Sequence, residues 1–209
     1  MKWNALLVSR AGLGAVALAA ALMIAPARAD SEPAPFTPVG GPTRAPAGWT
    51  VFCAEYAPEC ETPVLDPRDI VLTRTAWDDL MRINDWVNAA IEPVTDLEHW
   101  GVPERWNYPD DRYGDCEDYV LLKRRMLLEA GWPRQALLIT VVRDKRGDGH
   151  AVLTVRTDHG EFVLDNQNEE ILLWSKTGYR FVKRQSQSDP NVWLTLGDTR
   201  PAAATSAAR

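Results

Sequence analysis

The sequence predicts an α+β protein in which a largely buried helix packs on an antiparallel β-sheet, and three observations lead to this fold class. Residues 115–130 carry apolar side chains around more than one face of a helix, between an aspartate start and a Gly-Trp-Pro stop. Residues 136–142 are nearly all apolar or β-branched, as expected of a central strand covered on both faces. Residues 150–157 and 161–165 alternate like half-buried strands, with turn-forming residues before and between them. The three strands are therefore expected to form an antiparallel meander.

The rest of the folded region is predicted from weaker patterns. Residues 77–91 repeat apolar side chains at three- and four-residue spacing, which indicates an amphipathic helix ending before Pro93, with Thr75 and Asp78 as its capping pair. Residues 96–113 are typical of a loop. Further strands are expected at residues 172–174, 179–182 and 192–196.

Length and charge limit the class of protein. The 209 residues are enough for one domain of ordinary size. A formal net charge of -6, from 23 basic and 29 acidic residues, argues against nucleic-acid binding, because phosphate affinity comes largely from clustered Lys and Arg.

The amino-terminal residues 1–29 are expected to be a cleaved signal peptide. Lys2 and Arg10 flank the start of an apolar stretch over residues 11–24, and the small-x-small sequence that a signal peptidase reads follows at residues 27–29. The alternative is a membrane anchor, but the stretch is shorter than the roughly 20 residues that a span needs. We therefore expect a periplasmic or secreted protein with no stable membrane span after cleavage.

Composition divides the mature chain into three parts. Residues 30–49 are rich in proline and glycine and are predicted to be a flexible leader. Residues 50–198 are expected to form the folded domain. Residues 199–209 are rich in alanine without apolar periodicity and are predicted to be a disordered tail.

The three cysteines are interpreted for an exported protein, because oxidising compartments favour disulfides. Cys53 and Cys60 are close enough in sequence to close a small loop, and they are the expected pair. Cys116 is then a free thiol in the first turn of the buried helix, where the helix dipole favours a thiolate. The adjacent Asp115 and Glu117 oppose that thiolate, so a cationic histidine or a bound metal is needed to offset them.

Among the three histidines, His150 is the best candidate for a base because it opens a strand, whereas His159 lies at a hairpin tip and His99 in an irregular segment. A two-residue turn at 158–159 or at 159–160 places His150 and Asp165 on one face of the sheet. In the first of these registers Asp165 is a diagonal neighbour of His150, within side-chain reach. Cys116, His150 and Asp165 are therefore predicted to form a nucleophile, base and orienting acid. Each residue taken alone has an ordinary structural interpretation, as a small core side chain, a hydrogen-bonded strand residue or a turn former.

Three motifs in this order resemble the bacterial transglutaminase-like cysteine proteinase family. They are Gly-Asp-Cys-Glu-Asp-Tyr at 114–119, Gly-His-Ala-Val-Leu at 149–153 and Leu-Asp-Asn at 164–166. The resemblance implies a papain-like, transglutaminase-type fold and a periplasmic cysteine endopeptidase with Cys116 as nucleophile, His150 as base and Asp165 as orienter. From the LapG-type members it further implies a protein substrate such as a surface adhesin, and restraint by an inner-membrane receptor.

The same resemblance implies a calcium ion held by Asp115, Glu117 and Asp118. Clustered carboxylates suit Ca²⁺, which takes six to eight oxygen ligands, and Asp110 and Asp111 lie just upstream. The alternative is that these acids only cap the helix and complement its dipole, which needs no metal.

Two other functions stay open at the level of sequence. A transglutaminase or amidase would use the same thioester, captured by a different acceptor. A non-catalytic calcium-binding module of the periplasm would use the acidic cluster structurally and present the sheet to a partner.

Overall fold

The computed structural model describes residues 35–197, which form a mixed fold of helices and an antiparallel sheet. The helices are α1 (Ala47–Glu55), α2 (Ala57–Cys60), α3 (Arg74–Ala90), α4 (Asp96–Trp100) and α5 (Cys116–Glu129). The strands are β1 (Val39–Thr43), β2 (Glu92–Pro93), β3 (Tyr113–Gly114), β4 (Leu137–Arg143), β5 (Gly149–Thr157), β6 (Gly160–Leu164), β7 (Leu172–Leu173), β8 (Arg180–Gln185) and β9 (Trp193–Leu196). The predicted α+β class, with the helix that carries Cys116 packed on an antiparallel sheet, is confirmed.

The main sheet has seven strands in the order β1-β9-β8-β4-β5-β6-β7, and β4 is central as predicted. Strands β4, β5 and β6 form the expected antiparallel meander. Thr157 pairs with Gly160 and Leu153 with Leu164, which is the first of the two registers derived from the sequence. This register places Asp165, just beyond the end of β6, diagonally from His150 at the start of β5.

Apolar residues cover both faces of the sheet. Leu153, Val155 and Leu164 face the helices and belong to the main core, together with α3 and α5. The opposite face carries a second, smaller cluster that contains Val152 and Val163. The face that carries His150 is thus also packed.

Helix α5 has the features that its sequence predicts, with one difference at its start. It is buried around most of its circumference and ends before Gly131, whose φ of +87° suits glycine. Asp115 occupies the N-cap position, yet its side chain makes no capping hydrogen bond. Its Oδ2 instead accepts from the backbone N–H of Asp96 at 3.3 Å, which connects α4 to the start of α5.

The predicted capping pair of α3 is wrong by two residues. Thr73 is the N-cap, and its Oγ1 accepts from the backbone N–H of Ala76 at 3.1 Å. The buried face of the helix, which includes Leu80, Asn84 and Val87, is the predicted one.

Residues 96–113 are more ordered than the predicted loop. Thr95 and Glu98 form a capping box that starts α4, and the parallel pair of β2 and β3 closes the segment. The composition of the segment does not show this order, because a five-residue helix has too few apolar positions to display a period.

The predicted leader over residues 30–49 contains ordered structure in its described part. Strand β1 pairs antiparallel with β9, and α1 begins at Ala47, three residues before the expected start of the domain. Pro42 is tolerated because β1 lies at the sheet edge, where a missing N–H leaves no ladder bond broken. Residues 30–34, the expected signal peptide at 1–29 and the expected tail at 199–209 lie outside the described residues.

The expected Cys53–Cys60 disulfide is present and joins α1 to α2, and Cys116 is free. Within residues 35–197, no helix combines the length and the apolar character needed to cross a membrane.

Candidate active site

Cys116 is the first residue of α5, and its sulfur lies against the start of β5. The Sγ atom accepts from the backbone N–H of Ala151 at 3.4 Å, and the thiol donates to Glu117 Oε2 at 3.1 Å. Because the Ala151 nitrogen is bonded to the His150 carbonyl carbon, the thiol lies beside the backbone of His150.

His150 and Asp165 form a buried pair. His150 Nε2 and Asp165 Oδ1 are 2.8 Å apart, and the two residues are 4% and 3% exposed. A hydrogen bond from Nε2–H to the carboxylate leaves Nδ1 as the ring atom that can accept a proton. Gln167 Nε2 lies 3.4 Å from Nδ1, near the limit of a hydrogen bond.

Donors from several elements hold Asp165 in place. Its Oδ1 also accepts from the backbone N–H of Gln167 at 3.0 Å, and its Oδ2 accepts from the Tyr179 hydroxyl at 2.5 Å. Burial raises the pKa of the Asp165 carboxyl, but hydrogen bonds and charge from His150, with Tyr179 and Gln167, outweigh it and leave the pKa below its usual value. The acid is thus held as a carboxylate.

The backbone of Asp165 is fixed from the helical layer. Its carbonyl oxygen accepts from Asn88 Nδ2 on α3 at 2.9 Å and from Lys123 Nζ on α5 at 3.0 Å. Lys123 is fully buried, and this burial lowers its pKa to about 7. The helix that carries the nucleophile therefore also restrains the acid of the pair.

A cavity of about 270 Å³ opens beside Cys116 and His150, and Trp106, Val141, Ala151 and Lys183 are among its other lining residues. A larger groove of about 680 Å³, between α3 and β7, is lined by other residues. The smaller cavity is the candidate substrate site because Cys116 and His150 both line it.

The electrostatics around the thiol oppose a thiolate. Burial raises the pKa of Cys116 well above its usual value, and the neighbouring Glu117 raises it further by its charge and by accepting a hydrogen bond from the protonated thiol. Burial and repulsion from Asp115 raise the pKa of Glu117 in turn, to about 9. The two acids that were expected from the sequence to oppose the thiolate thus lie close to the sulfur.

The predicted calcium ligands fall into two overlapping groups that share Asp115: Asp118 lies with Asp115 and with Asp96 from α4, whereas Glu117 lies with Asp115 and Cys116. Oxygens of Asp96, Asp115 and Asp118 lie within 4.8 Å of one another, as do the ligand atoms of Asp115, Cys116 and Glu117. Asp118 is fully buried, and within residues 35–197 its Oδ2 has no hydrogen-bond partner. Asp115 Oδ1 is also without a partner in the same part of the chain. Unpartnered buried carboxylate oxygens are unfavourable without a cation, and an all-oxygen set suits Ca²⁺.

The two upstream aspartates lie elsewhere. Asp111 Oδ2 is 2.8 Å from His99 Nε2, and Asp110 Oδ1 is 3.6 Å from an Arg125 guanidinium nitrogen.

Replacement of Gly114 by alanine is expected to disturb the acid cluster. A Cβ atom there would lie 2.6 Å from Asp118 Oδ2 and 2.8 Å from Asp118 Cβ, so Asp118 must move. We expect a loss of about 1–3 kcal/mol in the free energy of unfolding, measured by urea denaturation in a chelator. Gly41→Ala is the control, because a Cβ there meets nothing within 4 Å. Equal stability of the two variants would contradict this close packing of Gly114 against Asp118.

Several residues of this site were not predicted from the sequence: Asn88, Asp96, Lys123, Gln167 and Tyr179. Of these, Lys123 left a signal, because it interrupts the apolar surface of a helix expected to be buried. The others approach from elements whose relative placement the sequence does not display.

The structure thus has a cysteine at the start of a buried helix, a histidine on β5 and a carboxylate just beyond β6, which is the arrangement that the sequence motifs predict for a transglutaminase-like cysteine protease. The chain belongs to the bacterial transglutaminase-like cysteine proteinase family, whose sequence profile matches residues 39–201.

Two solved structures are similar to this chain. Calcium-bound LapG of Legionella pneumophila is 21% identical, with a TM-score of 0.50, over 75% of this chain and 82% of that chain, and it has the same fold. EGTA-treated LapG of the same organism is 22% identical, with a TM-score of 0.49, over 73% of this chain and 77% of that chain. No curated protein matches this chain by sequence.

Proposed function

We propose that this protein is a periplasmic cysteine endopeptidase in which Cys116 is the nucleophile, His150 the general base and acid, and Asp165 the orienting carboxylate. The observation that carries the proposal is the buried His150–Asp165 pair, with the Cys116 sulfur bonded to the next backbone N–H along β5 and both Cys116 and His150 lining one cavity. Membership of a cysteine proteinase family supports the reaction class.

The proposed reaction follows from the proton-accepting atom of His150. Nδ1 takes the thiol proton as Cys116 Sγ attacks the peptide carbonyl carbon. Nδ1 then gives that proton to the leaving amine as the C–N bond breaks, which leaves a thioester. Water attacks the thioester, Nδ1 accepts a proton from it, and the released sulfur recovers a proton from the imidazolium. The backbone N–H of Cys116 at the start of α5 is a donor for the oxyanion.

Asp115, Glu117 and Asp118 are proposed to hold a calcium ion, with Asp96 as a further oxygen donor. The bound ion would supply positive charge that offsets the repulsion between these acids and the thiolate. In the structure, Glu117 Oε2 accepts a hydrogen bond from the Cys116 thiol, so Glu117 acting as a metal ligand would free the thiol to donate to His150. The calcium-bound form of LapG from Legionella pneumophila supports the choice of ion.

Location and partners are proposed from the signal-like amino terminus and from the family resemblance. We propose that the protein is exported to the periplasm. Its proposed partners are a protein substrate such as a surface adhesin and an inner-membrane receptor that restrains the enzyme.

The test is cleavage of an unstructured protein substrate by the purified mature chain with calcium present, compared with Cys116→Ala. Release of new amino termini by the wild type, and none by the variant, is the expected result. Adding a primary amine distinguishes the acyl acceptor, because a transglutaminase would incorporate the amine into the acyl product while a peptidase would form the acid. Equal biological activity of the Cys116→Ala variant would instead favour the non-catalytic module.

A further inference from the structure

Tyr179, just before β8, contacts both members of the buried pair. Its hydroxyl donates to Asp165 Oδ2 at 2.5 Å, and its ring meets the His150 ring edge to face, with centroids 5.6 Å apart and planes at 81°. Tyr179 is 6% exposed and belongs to the apolar cluster on the sheet face opposite α5. Tyr179 therefore connects the apolar cluster on the sheet face opposite α5 to the proposed triad.

The two carboxylate oxygens of Asp165 have different partners. Oδ1 accepts from His150 Nε2 at 2.8 Å and from the Gln167 backbone at 3.0 Å, whereas Oδ2 accepts from Tyr179. Because Asp165 is buried, loss of the Tyr179 hydroxyl would leave Oδ2 without this donor in an apolar setting. The carboxylate would then rotate toward another donor or take up a proton, and either change weakens its bond to His150.

A local turn sets the position of Tyr179 independently of substrate. The Tyr179 backbone N–H donates to Thr177 Oγ1 at 3.2 Å, and that hydroxyl donates to the Trp174 carbonyl at 2.9 Å. Gly178, between Thr177 and Tyr179, has a φ of +77°, a backbone conformation that residues other than glycine rarely adopt. The hydroxyl is therefore aimed at Asp165 before substrate binds.

On these grounds we propose that Tyr179 is a positioning residue for the peptidase reaction: its hydroxyl holds the Asp165 carboxylate in the orientation that accepts from His150. The proposal rests on the proposed function, because it assigns Tyr179 a role only through His150 and Asp165.

Tyr179→Phe tests this role because it keeps the ring against His150 and removes only the hydroxyl. At saturating calcium we expect kcat to fall about tenfold with KM nearly unchanged, as when a reacting group is slightly misplaced. We also expect the pKa of the Asp165 carboxyl to rise, since a donor to its ionised form is lost. Carbon-13 NMR titration of labelled aspartate in a Cys116→Ala background measures that pKa without depending on activity.

Tyr119→Phe is the matched control. Tyr119 is also buried, and its hydroxyl donates to the Ile91 carbonyl at 2.6 Å rather than to Asp165. We expect this variant to lose a similar amount of stability while keeping the wild-type kcat and the wild-type pKa of Asp165.

The outcomes separate the two proposals. If Tyr179→Phe matches Tyr119→Phe in kcat and in the pKa of Asp165 while the wild type is active, the positioning role is overturned alone. If Cys116→Ala cleaves substrate as fast as the wild type, the proposed function is overturned, and the positioning role of Tyr179 in that reaction with it.

Discussion

Replacement of His150 by alanine is expected to lower kcat/KM by about 10²–10⁴-fold, the range that a positioned general acid–base contributes. The variant removes the proton acceptor, while burial of the thiol still raises its pKa and favours the protonated sulfur. With calcium present and near neutral pH, a thiol-directed peptidase probe should also label Cys116 more slowly in His150→Ala than in the wild type. Steady-state kinetics and mass spectrometry of the labelled protein provide the two measurements.

His159→Ala is the control for this prediction. His159 lies at the hairpin tip, where Nδ1 is 2.7 Å from Asp158 and the side chain is 65% exposed. We expect wild-type kinetics and labelling from this variant. If His150→Ala labels at Cys116 as fast as the wild type, His150 does not act in the mechanism, and Cys116 has the reactivity of an ordinary thiol.

Replacement of Asp118 by asparagine is expected to weaken calcium binding by about tenfold or more, because affinity follows the number of charged ligands. At a fixed free calcium concentration well above the Kd of both proteins, each tenfold loss of affinity reduces the stabilisation by calcium by about 1.4 kcal/mol. The rise in Tm on adding calcium should therefore be smaller in the variant. Differential scanning calorimetry over a calcium series measures this rise, and isothermal titration measures the affinity.

Without calcium, the same substitution is expected to change the pH dependence of stability. Burial raises the pKa of Asp118 to about 8, and Asp115 and Asp96 add repulsion, whereas an unfolded aspartate has a pKa of about 3.9. The folded chain thus binds a proton that the unfolded chain has released, and this contribution to stability is lost as pH rises from about 4 through about 8. In EGTA, the wild type should lose stability over this range more steeply than Asp118→Asn.

Asp110→Asn serves as the control, because Asp110 is exposed and its charged neighbour is Arg125, at 3.6 Å. It should keep the wild-type response to calcium and to pH. An Asp118→Asn protein with the wild-type calcium response would contradict the assignment of the cluster as a calcium site and favour helix capping by these acids.

Much of the fold could be predicted from sequence because it depends on local patterns. Helix α5 and strands β4 to β6 follow from apolar periodicity and turn residues, which act within a few positions of the chain. The shared face of His150 and Asp165 follows from the parity of a hairpin, since side chains alternate along each strand. The Cys53–Cys60 disulfide likewise spans a short loop.

Other features depended on contacts that the local pattern does not contain. Strand β1 is stabilised by pairing with β9, about 150 positions later, so its own proline and glycine content predicted a flexible leader. The start of α3 shifted to Thr73 because several threonines and aspartates near a helix start can cap it, and only the folded backbone selects one.

The sequence by itself determined which residues are proposed to carry the chemistry: a lone thiol at a helix start, a strand histidine, a carboxylate on the same face, and acids beside the thiol. The tertiary structure decided how those groups are held. Tyr179 reaches Asp165 from the far face of the sheet, Lys123 and Asn88 hold its backbone from the helical layer, and Asp96 joins the acids through α4. The physical reason is that these contacts join elements distant in the chain, and their geometry exists only once both layers have packed on the sheet.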